Sequence, residues 1–352
     1  MDGRREAHGV RDGRDPERPL RYAYLGPAGT FTEAALLSVA GAREAERLPV
    51  SSVPVALAAV RSGEVDAAMV PIENSVEGGV TATLDAVATG SELRIVREAL
   101  VPISFVLVAP PGTALADVRT VSTHSHAWAQ VRGWMDERLP GVDYVPASST
   151  AAAALALLPG GAGREGPASR AGFDAAVCSP VVVEQHPELE VLAEDIGDNR
   201  AAVTRFVLVA RPGVPLPPRT GADRTTLVIP LWEDRAGALM EILEQFATRG
   251  VNLSRIESRP TGNFLGEYFF SVDVDGHILD ARVADAVEGL RRVCPSTRFL
   301  GSYPRADHKV ATVAPHHSDD AFREAAAWVA ALQDRDRRTP ENPPAQGAPG
   351  GA

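Results

Sequence analysis

A proline-rich segment divides the chain into two parts whose apolar residues follow different patterns. Residues 212–218 contain four prolines, and proline disfavours helix interiors and central strands because it fixes the backbone and lacks an N–H donor. The chain is 352 residues long, whereas single domains usually run to roughly 100–200 residues. The sequence therefore predicts two or three domains, with an interdomain linker at 213–224.

The part before the linker alternates apolar strands with helical stretches. Helical stretches at 32–39 and 150–158 separate short apolar runs at 22–25, 65–70, 103–108, 175–177 and 205–209. Near-continuous apolar strands separated by helices are typical of a parallel α/β sheet. The length of this part favours two α/β lobes over one large sheet.

The part after the linker predicts a small second fold. A strand at 225–229 is followed by Leu239, Ile242, Leu243 and Phe246, the apolar stripe of a helix. Residues 253–258 and 268–274 are suited to a hairpin, and a helix at 282–293 and a strand at 298–303 follow. This β-α-β-β-α-β order is ferredoxin-like. In the tail at 304–352, apolar residues on one face predict a short helix at about 319–333.

The composition excludes several classes of protein. A formal net charge of -11 argues against nucleic-acid binding. Cys178 and Cys294 match no disulfide framework and no metal-ligand spacing, so we expect two buried, unreactive thiols. Residues 1–21 lack the apolar stretch of an export signal, and the alanine-leucine run at 151–158 is far shorter than the roughly 20 residues that span a bilayer. We expect a cytoplasmic protein with no metal and no membrane partner.

Two segments before the linker can bind a small anion at the start of a helix or the end of a strand. Gly29 and Thr30 lie in a turn that opens a helix, where free N–H groups favour a carboxylate; taken alone, the segment is explained better by a simple capped turn, with Thr30 or Thr32 as N-cap. Asn74 and Ser75 follow a buried strand, where ligands of α/β folds bind, and Gly79 permits close backbone approach. An Asx-type turn is the alternative there.

Taken in order, these motifs resemble the prephenate dehydratase family across residues 22 to about 303. The motifs are Gly26-Pro27-Ala28-Gly29-Thr30, Pro71-Ile72-Glu73-Asn74-Ser75, Thr204-Arg205-Phe206, Gly237-Ala238-Leu239 and Glu257-Ser258-Arg259-Pro260. The resemblance implies a two-lobed catalytic domain, similar to periplasmic binding proteins, at 22–212, with lobe one at about 22–101 and 192–212 and lobe two at about 102–191. It also implies an ACT regulatory domain at 225–303.

The resemblance further implies that the protein converts prephenate to phenylpyruvate, water and carbon dioxide without a cofactor. Thr204 corresponds to the family's essential threonine, and we expect it to support the leaving hydroxyl. Arg205 is expected to hold a substrate carboxylate, and the second carboxylate to meet N–H groups near Gly29 or Gly79. The other expected substrate contacts are Phe206, Asn74, Ser75, Gln130, Thr123, His124 and Thr30. The family's Ser-His-Pro-Gln reads Thr123-His124-Ser125-His126 here, which departs from the pattern.

The ACT domain implies regulation by L-phenylalanine bound between two such domains of a homo-oligomer, a dimer or a tetramer. The expected contacts are Gly237, Ala238, Leu239, Asn252, Leu253, Glu257, Ser258, Arg259 and Pro260. Two alternatives remain at this stage. One is an arogenate dehydratase, whose substrate differs by an amino group, and the other is a non-catalytic amino-acid sensor.

Overall fold

The structure is a computed structural model that describes residues 18–159, 172–231, 235–262 and 267–337. The strands are β1 (Arg21–Leu25), β2 (Glu46–Val50), β3 (Ala67–Asn74), β4 (Gly78–Gly79), β5 (Arg94–Pro102), β6 (Val106–Ala109), β7 (Thr120–Thr123), β8 (Asp143–Pro146), β9 (Ala175–Cys178), β10 (Glu190–Ala193), β11 (Val203–Ala210), β12 (Asp223–Pro230), β13 (Leu253–Pro260), β14 (Tyr268–Asp275) and β15 (Arg298–Pro304). The helices are α1 (Phe31–Leu37), α2 (Val53–Ser62), α3 (Thr81–Ala88), α4 (Ser125–Arg138), α5 (Thr150–Leu155), α6 (Pro180–Gln185), α7 (Ala238–Ala247), α8 (Ala281–Val293) and α9 (Asp319–Arg337).

Lobe one is built on a sheet with the order β2-β1-β3-β11-β5, and β4 pairs with β3. Strands β2, β1 and β3 are parallel, but β11 runs antiparallel to both β3 and β5. The sheet is therefore mixed, and the expectation of a purely parallel sheet is wrong for this lobe. The reason is topological, because β11 returns from the second lobe and enters the sheet between two strands already formed.

Lobe two has a second five-stranded sheet, with the order β10-β6-β9-β7-β8. Strands β7, β8 and β9 are parallel, whereas β6 is antiparallel to β9 and β10. Because β10 spans Glu190–Ala193, the chain leaves lobe two slightly after the expected boundary at 191. The segment 160–171, between α5 and β9, lies outside the described residues.

The third unit is the four-stranded antiparallel sheet β13-β14-β12-β15 with α7 and α8 on one face. This is the predicted ferredoxin-like ACT domain. Its other face carries Val228, Phe269 and Tyr303, which belong to the same apolar cluster as Val207 and Val209 of β11. The ACT sheet therefore packs directly on lobe one. Strand β12 begins at Asp223, inside the expected linker.

The C-terminal helix α9 extends to Arg337, four residues beyond the predicted end. It is attached at its first turn, where the Asp319 carboxylate accepts a hydrogen bond from the Ala281 N–H at 2.8 Å and pairs with Arg219. Trp328 and Leu332 remain exposed. In the part of the chain that the structure describes, none of the helices combines the length and the hydropathy needed to cross a membrane.

Candidate active site

Thr204 and Asn74 are brought together by strand pairing in lobe one. Thr204 lies at the start of β11, directly opposite Asn74 at the end of β3. The Asn74 Nδ2 donates a hydrogen bond to the Thr204 Oγ1 at 2.8 Å, while the Asn74 Oδ1 accepts from the N–H of Val76 at 2.8 Å. The Asx turn that the sequence offered as an alternative is thus present, and the same side chain also contacts Thr204.

This geometry determines what the Thr204 hydroxyl can do. A threonine hydroxyl has one donor and two acceptor positions. The Asn74 amide uses an acceptor position, so the Thr204 proton remains to be donated to another group. Because the Asn74 oxygen is engaged by backbone N–H groups, the amide orientation is set by the hydrogen-bond network. Thr204 is mostly buried, so its hydroxyl is held in one place.

The loop that follows Asn74 connects the two lobes. The Ser75 Oγ accepts a hydrogen bond from the Val203 N–H at 2.9 Å, which fixes the loop to the start of β11. The Glu77 carboxylate lies 3.0 Å from the Nδ1 of His126 on α4. This contact becomes an ion pair when His126 is protonated. The loop that follows Asn74 therefore contacts both the start of β11 and the start of α4.

His124 is the N-cap residue of α4. Its Nδ1 accepts a hydrogen bond from the His126 N–H at 3.3 Å, so in the neutral ring the proton is on Nε2. Burial lowers the pKa of His124, and His126 lowers it further, although Glu77 opposes this. A neutral His124 can donate one hydrogen bond from Nε2. Gln130 follows on the same helix, where its Nε2 donates to the His126 carbonyl at 3.1 Å.

The turn before α1 acts as a joint between the lobes. Thr30 is the N-cap, as the capped-turn interpretation predicted: its Oγ1 accepts from the Glu33 N–H at 3.3 Å and donates to the Leu25 carbonyl at 2.9 Å. The Gly29 N–H donates to the Glu33 carboxylate at 2.6 Å. That donor is already used, which contradicts its expected contact with a substrate carboxylate, and Thr30 likewise has its hydroxyl occupied.

Ser179 completes this joint and was not identified from the sequence. Its hydroxyl is fully buried and donates to the Gly29 carbonyl at 2.5 Å. A β-carbon on Gly29 would lie 2.6 Å from Cγ2 of Val182, on the first turn of α6. The signal available in the sequence was Ser179-Pro180 after an apolar strand, a typical helix start. It indicates the helix but not the contact with the other lobe.

Three expected substrate contacts are directed elsewhere. Thr123 is fully buried, and its hydroxyl donates to the Val177 carbonyl at 2.8 Å. Phe206 is a core residue of lobe one. Gly79 lies against the Glu257 carboxylate, whose oxygens would be 2.2 Å from a β-carbon there. Since a substrate carboxylate beside Glu257 would be repelled, Gly79 is a poor site for it.

Arg205 faces away from the Asn74–Thr204 pair and is paired with acidic side chains, which argues against its expected contact with a substrate carboxylate. Neighbouring residues of a strand face opposite sides of the sheet, and Arg205 faces the ACT domain. Its guanidinium lies 2.5 Å from Asp273, 3.2 Å from Glu73 and 3.4 Å from Glu98. Burial disfavours its charge, but Asp273, Tyr303 and both glutamates outweigh that effect and raise the pKa of Arg205. Removing one partner of such a buried pair typically costs about 3–5 kcal/mol.

The expected effector residues lie at two ends of the ACT sheet. Gly237 is the N-cap of α7, with a positive φ of 86°, and Leu239 is exposed. The Leu231 N–H donates to the Tyr268 carbonyl, and Tyr268 pairs with Pro260, so the α7 start and the end of β13 share one end of the sheet. Asn252 and Leu253 lie at the opposite end, where the Asn252 amide donates to Asp275 at 2.7 Å.

Two of the expected effector residues contact lobe one of the same chain. Arg259 donates two hydrogen bonds to the Asp85 carboxylate on α3, both at 3.0 Å, and Glu257 contacts Gly79 as described above. Ser258 and Pro260, which alternate with them along β13, are exposed. The strand therefore presents one face to lobe one and the other to its surroundings.

The described residues form no metal-binding cluster, and both cysteine thiols are buried. The described residues contain no group of three or more histidine, cysteine or acidic side chains arranged to hold a metal ion. Cys178 and Cys294 are both buried and unpaired with each other. Burial raises the pKa of Cys178 to about 12, which keeps it a thiol at neutral pH.

Comparison with known proteins identifies close relatives. The model of the family "Prephenate dehydratase" matches residues 22–213. The chain is 48% identical over 313 residues to the prephenate dehydratase of Amycolatopsis methanolica, covering 89% of this chain and 98% of the relative. A crystal structure of prephenate dehydratase from Arthrobacter aurescens in complex with L-Phe is 64% identical with a TM-score of 0.83, and the match covers 90% of this chain and 100% of that one. GqqA, a quorum-quenching acylase, is 32% identical with a TM-score of 0.69, over 81% of this chain and 97% of that one.

Proposed function

The chain belongs to the prephenate dehydratase family and is a hydro-lyase of phenylalanine biosynthesis; from this premise we propose that Thr204 is the catalytic residue. The reaction removes carbon dioxide and the ring hydroxyl from prephenate and forms an aromatic ring, so its intrinsic driving force is large. The enzyme needs only to assist departure of the hydroxyl. The observation that carries the proposal is the hydrogen bond from Asn74 to Thr204, which leaves the Thr204 proton free to be donated.

The Thr204 hydroxyl stabilises charge on the leaving oxygen by a hydrogen bond. A threonine hydroxyl is a weak acid, so electrostatic support is its role rather than complete proton transfer. Its burial and its contact with Asn74 fix the hydroxyl before the substrate arrives. A preorganised donor needs no reorientation as charge develops, which is the source of its effect.

The substrate carboxylates require donors other than Arg205, Gly29 and Gly79. We assign one carboxylate to the start of α4, which carries the His124 Nε2–H at its N-cap and the Gln130 side chain one turn further on. The N-terminus of this 14-residue helix adds unpaired N–H groups and a favourable dipole. Ser75 lies on the loop after β3, whose Glu77 contacts His126 of α4, and it remains a proposed substrate contact.

L-Phenylalanine is the proposed effector, because the 64% identical enzyme from Arthrobacter aurescens was crystallised with L-Phe. Leu253–Pro260 spans eight residues, so its two ends lie roughly 23 Å apart at the usual rise of a strand. One amino acid cannot contact both Asn252 and the α7 start of the same chain. A second copy placed antiparallel would bring Asn252 and Leu253 of one chain to Gly237, Ala238 and Leu239 of the other, which supports a homo-oligomer with paired ACT domains.

We infer that effector binding is transmitted through β13. Ser258 and Pro260 are available to the ligand side, whereas Glu257 and Arg259 contact Gly79 and Asp85 of the catalytic domain. A shift of β13 on ligand binding would move the loop that carries Asn74. A biosynthetic reaction of this kind also supports a cytoplasmic location.

The test is phenylpyruvate formation by the purified protein with prephenate, and in parallel with arogenate, while L-phenylalanine is titrated. We expect turnover with prephenate that falls as phenylalanine rises, together with calorimetric binding of phenylalanine. Turnover with arogenate alone would instead identify an arogenate dehydratase. Absence of turnover with both substrates, combined with retained phenylalanine binding, would identify a sensor and contradict the proposal.

A further inference from the structure

A cluster of charged side chains, all buried except the partly exposed Glu73, joins the two domains directly behind the Asn74–Thr204 pair. Its members are Glu73, Glu98 and Arg205 of lobe one and Arg224, Arg255 and Asp273 of the ACT domain. Asp273 is at its centre and is fully buried. Its carboxylate accepts hydrogen bonds from Arg205 at 2.5 Å, from the Arg255 Nε at 2.9 Å and from the Thr226 hydroxyl at 2.7 Å.

The cluster and the catalytic pair occupy opposite faces of the same two strands. Arg205 follows Thr204 on β11, and Glu73 precedes Asn74 on β3. Arg205 and Glu73 are directly paired across the strands, as are Thr204 and Asn74. Any displacement of the Arg205 side chain therefore acts on the backbone that carries Thr204.

The backbone pairing between β3 and β11 is irregular next to Thr204 and Arg205. The register of β11 against β3 shifts between Arg205 and Phe206, and such bulges disrupt the ladder locally and re-aim side chains. The pairing of Thr204 and Arg205 with β5 is regular, so the irregularity lies only on the side of β3. The Arg205 side chain is a further anchor at this point, and Asp273 makes its shortest contact.

We propose that Asp273 of the ACT domain is a positioning residue of the dehydratase site, acting on Thr204 through Arg205. The proposal rests on the catalytic role proposed above for Thr204. In this arrangement the regulatory domain supplies part of the support for the active site in every turnover, with or without effector.

The competing explanation is that the cluster only holds the domains together. Another contact across the same interface provides a matched control. Arg298 of β15 donates to the carbonyls of Ala88 and Gly90 at the C-terminal end of α3, away from β3 and β11. Loss of this contact weakens domain attachment without touching the neighbours of Thr204.

The experiment is a double-mutant cycle on kcat and KM for prephenate, using Asp273→Asn, Thr204→Val and the double variant, with Arg298→Gln as control. Asp273→Asn is expected to lower kcat at least tenfold with KM changed less than threefold, and Arg298→Gln to stay within twofold of wild type. In the Thr204→Val background, Asp273→Asn should lower kcat by less than threefold further, because residues that act as one unit are not additive.

This proposal is overturned if Asp273→Asn has the kcat of wild type. It is also overturned if Asp273→Asn lowers kcat by the same factor in the Thr204→Val background as in the wild type. Either result leaves the proposed role of Thr204 intact. A wild-type kcat for Thr204→Val overturns the proposed role of Thr204 and this proposal with it. If Asp273→Asn does not fold, Thr226→Val decides the matter, since it removes one hydrogen bond to Asp273 and one with the Tyr303 hydroxyl and leaves all charges. A twofold to fivefold loss of kcat in Thr226→Val that is absent in the Thr204→Val background supports the proposal. A wild-type kcat for Thr226→Val, or the same fold loss in both backgrounds, overturns it.

Discussion

The orientation of the Asn74 amide determines where the Thr204 proton can go. In the present arrangement Asn74 donates and Thr204 accepts. Replacement of the amide by a carboxylate would reverse the direction of this bond, because an ionised carboxylate only accepts. Thr204 would then donate its proton to residue 74 and not to the substrate.

We therefore expect Asn74→Asp to lower kcat by about 10²-fold, the scale of losing one preorganised donor. The turn should persist, because the new side chain still accepts from the Val76 N–H. Asn199→Asp is the matched control: Asn199 also caps a turn, through the Ala201 N–H at 3.0 Å, but it is exposed and has no proposed contact with substrate. Steady-state kinetics of both proteins measure the effect, and equal losses would contradict this account.

At the scale of elements, the sequence predicts which strands and helices form better than it predicts which way their side chains face. The strand at 205–209, the helix stripe at Leu239 and Phe246 and the hairpin after Leu253 are all confirmed as elements. The spacing of apolar residues along the sequence is sufficient to predict these elements. It cannot predict that β11 enters its sheet antiparallel, because that depends on a chain return from another lobe.

The same limit explains why part of the site was predicted and part was not. Asn74 and Thr204 were expected as functional residues and are in contact, 130 positions apart in sequence. Arg205 was assigned to the substrate because a cation beside a catalytic hydroxyl suits an anion. Strand alternation turns its side chain to the opposite face, where Asp273 and Glu98 are found. No local pattern near Arg205 indicates partners 68 and 107 residues away.

The joint between the lobes gives a prediction about stability. Gly29 and Gly78 both have positive φ, 84° and 82°, so Ala at either position loses about 1–2 kcal/mol through left-handed backbone strain. Only at Gly29 does the new methyl group meet a neighbour, Val182, at 2.6 Å, whereas Gly78 has open space. Gly29→Ala should therefore lower the free energy of unfolding by a further ~1–3 kcal/mol. Urea unfolding of the two variants measures this, and an equal loss for both would rule out the steric contact.

At the scale of the whole molecule, the ACT domain packs against lobe one in addition to being joined to it by the linker. One face of its sheet shares an apolar core with lobe one through Val228, Phe269 and Tyr303. Asp273 lies in the same face, where burial alone would raise its pKa but Arg205 and Arg255 hold the pKa far below its ordinary range. The catalytic and regulatory domains are therefore continuous at the point where the reaction is proposed to occur.

The most direct measurement compares kcat for prephenate in one variant that keeps the hydroxyl of residue 204 and one that lacks it. Thr204→Ser keeps the hydroxyl and loses a methyl group, whereas Thr204→Val keeps the shape and loses the hydroxyl. We expect kcat of Thr204→Ser to stay within about tenfold of wild type and kcat of Thr204→Val to fall by about 10²–10³-fold. Equal kcat values for the two variants would show that the hydroxyl does not support the leaving group and would contradict the account.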